Sequence, residues 1–193
     1  MLFIQVTGLS GAGKTTLSNR VQKRLEQLGY PVEVLDGDEC RRHLWPELTY
    51  SEADRQENIR RLGYLGRIFT RRGIIVLLAA INPYERIRAE LNQQNQPAKT
   101  VFIDCDLQTL IHRDTKGLYT KALLPDTHPN KLHDFTGINA PYETPVSPDL
   151  TIHTGQQAEA DCEEQLFQFI LAFLRESVSK KQSLEKSNLT EPV

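Results

Sequence analysis

The chain predicts an α/β fold of three layers, a mainly parallel central sheet between two helical layers, with a lid loop at its ligand-binding end. Three observations carry that expectation. Short apolar runs alternate with helix-periodic segments along the chain. The first run, "LFIQVT", leads straight into a glycine-rich turn, "GLSGAGKT". A later run, "GIIVLLAA", is apolar throughout, the pattern of a strand covered on both faces.

Taken in order, "LFIQVT" is the first strand. From Thr15 to Leu28 the apolar residues Leu17, Val21, Leu25 and Leu28 recur at helical spacing, and Gly29 ends that helix. "VEVLD" is the second strand. Ser51 with Asp54 caps a long helix through "EADRQENIRRLGYLGRIFTRR". "GIIVLLAA" is the third strand, "PYERIRAEL" a helix with proline in its first turn, and "TVFID" the fourth strand. Two short helices, "DLQTLIHR" and "GLYTKALL", precede an aperiodic stretch from about residue 124 to 142. A loop of that length in a compact domain is functional or disordered, and it reads here as a lid. "PDLTIHT" holds a last strand, and "AEADCEEQLFQFILAFLRESV" closes a single domain spanning 1–176. The polar segment 177–193 lacks apolar periodicity and is expected to be a disordered tail.

Composition narrows the function. With 193 residues, 39% hydrophobic and 25% charged, the chain suits one soluble domain. A formal net charge of -2 argues against a dedicated nucleic-acid binder. No segment approaches the roughly 18 apolar residues that cross a bilayer. The three cysteines, Cys40, Cys105 and Cys162, form no metal or disulfide spacing, so a cytoplasmic location is expected.

Gly8-Leu9-Ser10-Gly11-Ala12-Gly13-Lys14-Thr15 satisfies G-x-x-x-x-G-K-[ST] between a strand and a helix, which makes the fold a P-loop NTPase type. Glycines let consecutive backbone N–H groups turn towards phosphate, and the helix N-terminus adds its positive end. Lys14 would reach the β- and γ-phosphates of ATP, and the Thr15 hydroxyl would join the shell of Mg²⁺.

Asp36-Gly37-Asp38 stands at the carboxyl end of the second strand, where open α/β sheets place ligands. A carboxylate there could take a proton from an attacking hydroxyl or hold the metal shell; equally, it could cap a helix and pair with Arg41 or Arg42. Arg55, Asn58 and Arg61 recur at i, i+3, i+6, a face suited to an anion and a nucleoside or simply to solvent. Tyr50 and Phe135 lie near these clusters, where a purine could stack. His128 and His133 in the long loop read as solvated side chains rather than metal ligands.

"GLSGAGKTT", "VLDGD", "SEADRQENIRR", "RDTKGLY", "FTGI" and "PYETPVSPDL" together resemble the adenylylsulfate kinase family, over about residues 2–175. The resemblance implies transfer of the ATP γ-phosphate to the 3′-hydroxyl of adenosine 5′-phosphosulfate, giving 3′-phosphoadenosine 5′-phosphosulfate for sulfate assimilation. It implies ATP and Mg²⁺ at Gly8 to Thr16, with Thr15 and Asp36 on the metal side. Asp38 would orient or deprotonate the hydroxyl, Arg41 and Arg55 would hold the phosphosulfate, and Asn58 would add a polar contact. Tyr50 and Phe135 would sandwich the acceptor adenine, and Lys116 would neutralise the transferring phosphate. A homodimer is implied too, working alone or beside an ATP sulfurylase. The family's "SAISPYR" is "AAINPYE" here. Asn82 excludes a phosphoserine at that position, and Glu85 removes a positive charge, leaving Arg88 to grip an anion. Thr115 replaces a usual proline, and the loop before "FTGI" is longer than usual. Two rivals stay open: a P-loop kinase for another small hydroxyl acceptor, and a nucleotide-binding regulator without turnover.

Overall fold

The computed structural model describes residues 1–188, with side chains to Glu176. Its sheet has five parallel strands in the order β2-β3-β1-β4-β5. These are β1 (Phe3–Thr7), β2 (Val32–Asp36), β3 (Ile75–Ala79), β4 (Ala98–Asp104) and β5 (Leu150–His153). In register, Val6 of β1 lies between Ala79 of β3 and Val101 of β4. The chain passes from β1 to the edge strand β2, returns to lay β3 between them, and then adds β4 and β5 on the other side of β1. Loops therefore diverge at the carboxyl edge near β1, where such sheets hold ligands.

Strand alternation divides the core. Ile4, Val6, Ile75 and Leu77 face α1 (Lys14–Gln27) and α7 (Glu159–Asn188), meeting Leu17, Val21, Leu166 and Ile170. Phe3, Val76 and Leu78 face the opposite layer, α3 (Glu52–Arg71) and α4 (Glu85–Gln94), meeting Ile59, Leu62, Ile87 and Leu91. That two-faced burial is why β3 is apolar at every position.

Most boundaries agree with the sequence reading. Ser51 caps α3 as expected, its hydroxyl accepting the Asp54 N–H at 3.2 Å. The difference at α4 is local. The helix begins two residues after Pro83, because Asn82 turns at φ +40° and Tyr84 stays extended as its cap. The free Glu85 N–H is met instead by the Glu143 carboxylate at 2.6 Å. An extra helix, α2 (Gly37–Leu44), follows β2 directly. The short helices are α5 (Leu107–Arg113) and α6 (Leu118–Ala122).

Between α6 and β5, residues 124–142 form no helix or strand, yet the stretch is folded on itself. Lys131 donates to the carbonyls of Ala122 (2.9 Å) and Leu124 (2.5 Å), closing the end of α6. The Asn139 side chain accepts the Phe135 N–H and donates to the Leu132 carbonyl. Helix α7 runs to Asn188, past the boundary placed near residue 177; the stretch has no proline or glycine to stop it. The expected disordered tail otherwise lies outside the described residues. Among the described residues no helix is long and apolar enough to cross a membrane.

Candidate active site

The glycine-rich turn joins β1 to α1 and is fixed from below. A side chain at Gly8 would place its Cβ 2.4 Å from the Ile103 carbonyl oxygen, so nothing larger fits there. Carbonyls of the turn are claimed by protein donors: Leu9 by the Lys14 ammonium at 2.8 Å, Ser10 by the Tyr119 hydroxyl at 2.9 Å, and Ala12 by the Thr154 hydroxyl at 2.9 Å. Holding carbonyls away in this manner leaves the N–H side of the turn to an anion. Lys14 is buried, and burial is the main reason its pKa falls from 10.5 to about 8; Asp38 and Asp36 oppose the shift, and Lys116 adds to it.

Two clefts flank this turn, a narrow one of about 70 Å³ and a wider one of about 350 Å³. Ser10, Lys14 and Thr15 line the first, whereas Gly11, Ala12, Gly13 and Thr16 line the second. Gly8 and Leu9 line neither. Leu9 instead packs against Gly137 of the long loop, where an added Cβ would come within 2.8 Å of the leucine.

The first cleft also gathers Asp36, Asp38, Arg41, Tyr50, Arg55, Asn58 and Lys116. Asp36 has two jobs. One oxygen caps α2 by accepting the N–H groups of Asp38 (2.9 Å) and Glu39 (3.0 Å); the other accepts the Thr15 hydroxyl at 2.6 Å. Asp38, on the first turn of α2, pairs with Lys116 at 3.0 Å across the cleft. Both ends of that pair are about half exposed, so it is readily separated.

Both arginines are held in advance. Arg41 donates to the Thr49 carbonyl and lies 4.9 Å from the centre of the Tyr50 ring. Arg55 donates to the carbonyls of Tyr50 (2.8 Å) and Asp134, and to the Thr136 hydroxyl at 2.7 Å. It thereby ties the start of α3 to the long loop. Burial lowers the pKa of both from the usual arginine value, and both stay cationic at neutral pH. Asn58 is buried, accepting the Trp45 indole N–H and donating weakly, at 3.4 Å, to the Gly37 carbonyl. It fastens α2 to α3 at the cleft wall.

Phe135 does not line the cleft. Its ring is 7% exposed and sits edge-on to Tyr119, centroids 4.9 Å apart, within the main core. An apolar ring gains more from that burial than from an open cleft. Arg88, expected to grip an anion, is also occupied. It is 1% exposed and donates to Glu85 (2.6 and 3.0 Å) and to the carbonyls of Asn82 (2.7 Å) and Glu143 (2.6 Å). A guanidinium so enclosed is a structural tie between α4 and the chain before β5. Arg61, on the same helical face by spacing, pairs with Glu47 and Glu57 instead.

The second cleft brings in residues that motif spacing did not single out: Arg113, Thr154, Gln157 and Cys162. Thr154 and Gln157 follow the carboxyl end of β5, and a strand end at the ligand edge was the available signal. Arg113 closes α5 and donates to the Thr154 carbonyl at 3.1 Å.

As a place for magnesium, the Thr15–Asp36 pair fits. A hydroxyl and a carboxylate meet beside the phosphate-binding turn, and magnesium bound to nucleotide phosphates needs few protein ligands. No cluster of three or more His, Cys, Asp or Glu suited to a metal occurs among the described residues.

Sequence and structure comparisons point the same way. Residues 1–153 match the family model described as Adenylylsulphate kinase. An adenylyl-sulfate kinase of Synechococcus sp. (strain JA-3-3Ab) is 49% identical over 156 residues, which are 81% of this chain and 86% of that one. One from Bacillus licheniformis is 41% identical, over 86% of this chain and 83% of the relative. Among solved structures, the Mycobacterium tuberculosis APS kinase in complex with AMPPNP and APS superimposes with a TM-score of 0.79 at 35% identity, covering 90% of this chain and 96% of that one. The chain belongs to the adenylylsulfate kinase family.

Proposed function

We propose that this chain transfers the γ-phosphate of ATP to the 3′-hydroxyl of adenosine 5′-phosphosulfate, yielding ADP and 3′-phosphoadenosine 5′-phosphosulfate. The observation that carries this reading is the shared cleft. Lys14 and Thr15 of the phosphate-binding turn face the same space as Asp38, Arg41 and Arg55. A phosphate donor and a hydroxyl acceptor bearing an anion can meet there, the acceptor side exchanging internal bonds for bonds to its ligand.

ATP lies along the turn, with its base towards the second cleft of Arg113, Thr154 and Gln157. Backbone N–H groups and Lys14 hold its phosphates. Thr15 and Asp36 would hold magnesium, which neutralises charge on the transferring group. Arg41 and Arg55 take the phosphosulfate, and their bonds to the Thr49, Tyr50 and Asp134 carbonyls aim them beforehand. Lys116 leaves Asp38 for the incoming phosphates, and the freed Asp38 carboxylate then accepts the proton of the 3′-hydroxyl as its oxygen attacks phosphorus. Tyr50 offers one face for the acceptor adenine. For Phe135 to supply the other, it must leave Tyr119, which makes residues 124–142 the lid that closes and excludes competing water.

The position of Asn82 has no hydroxyl to phosphorylate, so transfer is direct between the two nucleotides. ADP formation measured with and without adenosine 5′-phosphosulfate tests the whole reading. ADP release that needs the acceptor supports it; release without acceptor, or none, sinks it. We place the enzyme in the cytoplasm, where its three free thiols stay reduced. A homodimer is proposed on the family resemblance, with light scattering as its check. A hexameric APS kinase from Thiobacillus denitrificans, 29% of whose chain this one covers, marks the alternative outcome. Association with an ATP sulfurylase would be read by co-purification of the two enzymes.

A further inference from the structure

We infer that Asn82 is a specificity residue whose side-chain oxygen accepts a hydrogen bond from a neutral O–H or N–H donor of the acceptor nucleotide. The inference rests on the kinase reading above and assigns a task to the residue that stands where the family commonly has serine.

Asn82 lines the cleft beside Asp38, Arg41 and Arg55, yet is only 3% exposed. Its φ of +40° is one that asparagine tolerates better than most residues. A relay of amides orients its side chain. The Asn92 amide nitrogen donates to the Thr100 hydroxyl at 3.0 Å, which turns the Asn92 oxygen towards Gln5. The Gln5 nitrogen donates to that oxygen at 2.7 Å and to the Arg88 carbonyl at 2.9 Å. Only the Gln5 oxygen is then left to face Asn82, and it accepts the Asn82 nitrogen at 2.9 Å. The Asn82 Oδ1 is thus left as the end of the relay, buried at the cleft wall with no protein partner, and a ligand donor reaches it when the acceptor seats against that wall.

An unmet buried acceptor is costly, and a ligand donor would relieve that cost. The chemistry of the donor is restricted. An amide oxygen repels phosphate and sulfate oxygens, so Oδ1 cannot serve the phosphosulfate. Adenosine 5′-phosphosulfate offers three neutral donors: its two ribose hydroxyls and the amino group of its base.

Titration calorimetry with adenosine 5′-phosphosulfate and its 2′-deoxy, 3′-deoxy and base-deaminated analogues tests this on the wild type and on Asn82→Gly, which accepts the positive φ. The wild type should bind one analogue roughly fivefold more weakly than the parent, the worth of one ordinary hydrogen bond. Asn82→Gly should shrink that preference to within about twofold, because its acceptor is gone. The analogue whose disadvantage the Gly variant removes names the donor. Equal wild-type binding of all four ligands overturns the inference, since water then satisfies Oδ1; so does a Gly variant that keeps the full preference. Asn82→Ala repeats the test should the Gly variant unfold. Parallel ADP measurements separate the two readings: preference without turnover sinks the kinase assignment alone.

Discussion

The walls that would meet the phosphate donor and the acceptor are made of different material. On the donor side, the turn from Gly8 to Thr15 offers mainly backbone, and its carbonyls are pinned by Lys14, Tyr119 and Thr154. On the acceptor side, the wall offers side chains from α2, α3 and the turn before α6, and most are already spent on one another or on the 124–142 loop behind them. Arg55 holds the loop, Lys116 holds Asp38, and Asn58 holds Trp45. The donor wall is therefore ready before ligand arrives, while the acceptor wall must exchange internal bonds for ligand bonds.

The sharpest way to break that contrast is Lys14→Ala. A preorganised cradle that loses its one buried ammonium should lose turnover by about a thousandfold in kcat. Near-normal kcat in a steady-state ADP assay would show that backbone alone suffices. Next in size is Asp38→Asn, which keeps the α2 backbone while removing the proton acceptor. We expect kcat to fall roughly a hundredfold, with ATP affinity within about twofold. A matching loss of ATP affinity would move Asp38 to the donor wall.

Arg55→Ala probes the exchange of bonds directly. It removes both an anion ligand and the tie to Asp134 and Thr136. The KM for adenosine 5′-phosphosulfate should rise about 10- to 100-fold, in keeping with loss of charge-assisted bonds. Hydrogen exchange over residues 132–140 should speed up in the absence of any ligand. Unchanged exchange there would mean that the loop is held by its own Asn139 and Lys131 bonds alone.

These walls also differ in how far the sequence discloses them. The donor turn is legible from eight consecutive residues, because backbone conformation there follows from local glycines. β3 is legible for a similar reason, since continuous apolarity leaves few alternatives. Asp36 was ambiguous between cap and metal ligand, and the structure gives it both a cap and the Thr15 hydroxyl, one per oxygen. The acceptor wall depends on partners distant in sequence. Nothing local tells that Phe135 turns to Tyr119, that Asn58 faces Trp45, or that the Glu143 carbonyl closes over Arg88. Such choices are made by competition for burial and hydrogen bonds across the fold, which spacing along one helix does not record.

A smaller effect separates the walls by pH. With its pKa near 8, Lys14 is an ammonium below that pH in the free protein and loses its proton above it. Anionic phosphates favour the ammonium, so nucleotide affinity should hold steady up to about pH 8. Above it, affinity should weaken towards tenfold per pH unit, with proton uptake on binding. Calorimetry of a non-hydrolysable ATP analogue in buffers of different ionisation heat measures that uptake. Stability runs the opposite way: the unfolded lysine keeps its proton to the ordinary 10.5, so the burial penalty is full below pH 8 and relieved between about 8 and 10.5. A pH-independent nucleotide affinity from 7 to 10 would show that no group titrating near pH 8 governs nucleotide binding.

The smallest expected change lies behind the acceptor wall, at Glu85. Its carboxylate takes two bonds from the enclosed Arg88, which also holds the carbonyls of Asn82 and Glu143. Glu85→Gln keeps one acceptor but not the charge, leaving a buried guanidinium with weaker compensation. Because Glu85 is 41% exposed, water offsets part of the loss, and the cost in stability should be about 1 kcal/mol by urea denaturation. Glu85 does not line the cleft, so kcat should stay within about twofold. A large fall in kcat without loss of stability would mean that the tie of Arg88 to the Asn82 carbonyl also sets the position of the cleft wall. Glu85 would then act on the acceptor through Asn82, and the wall that looks most rearrangeable would have a rigid back.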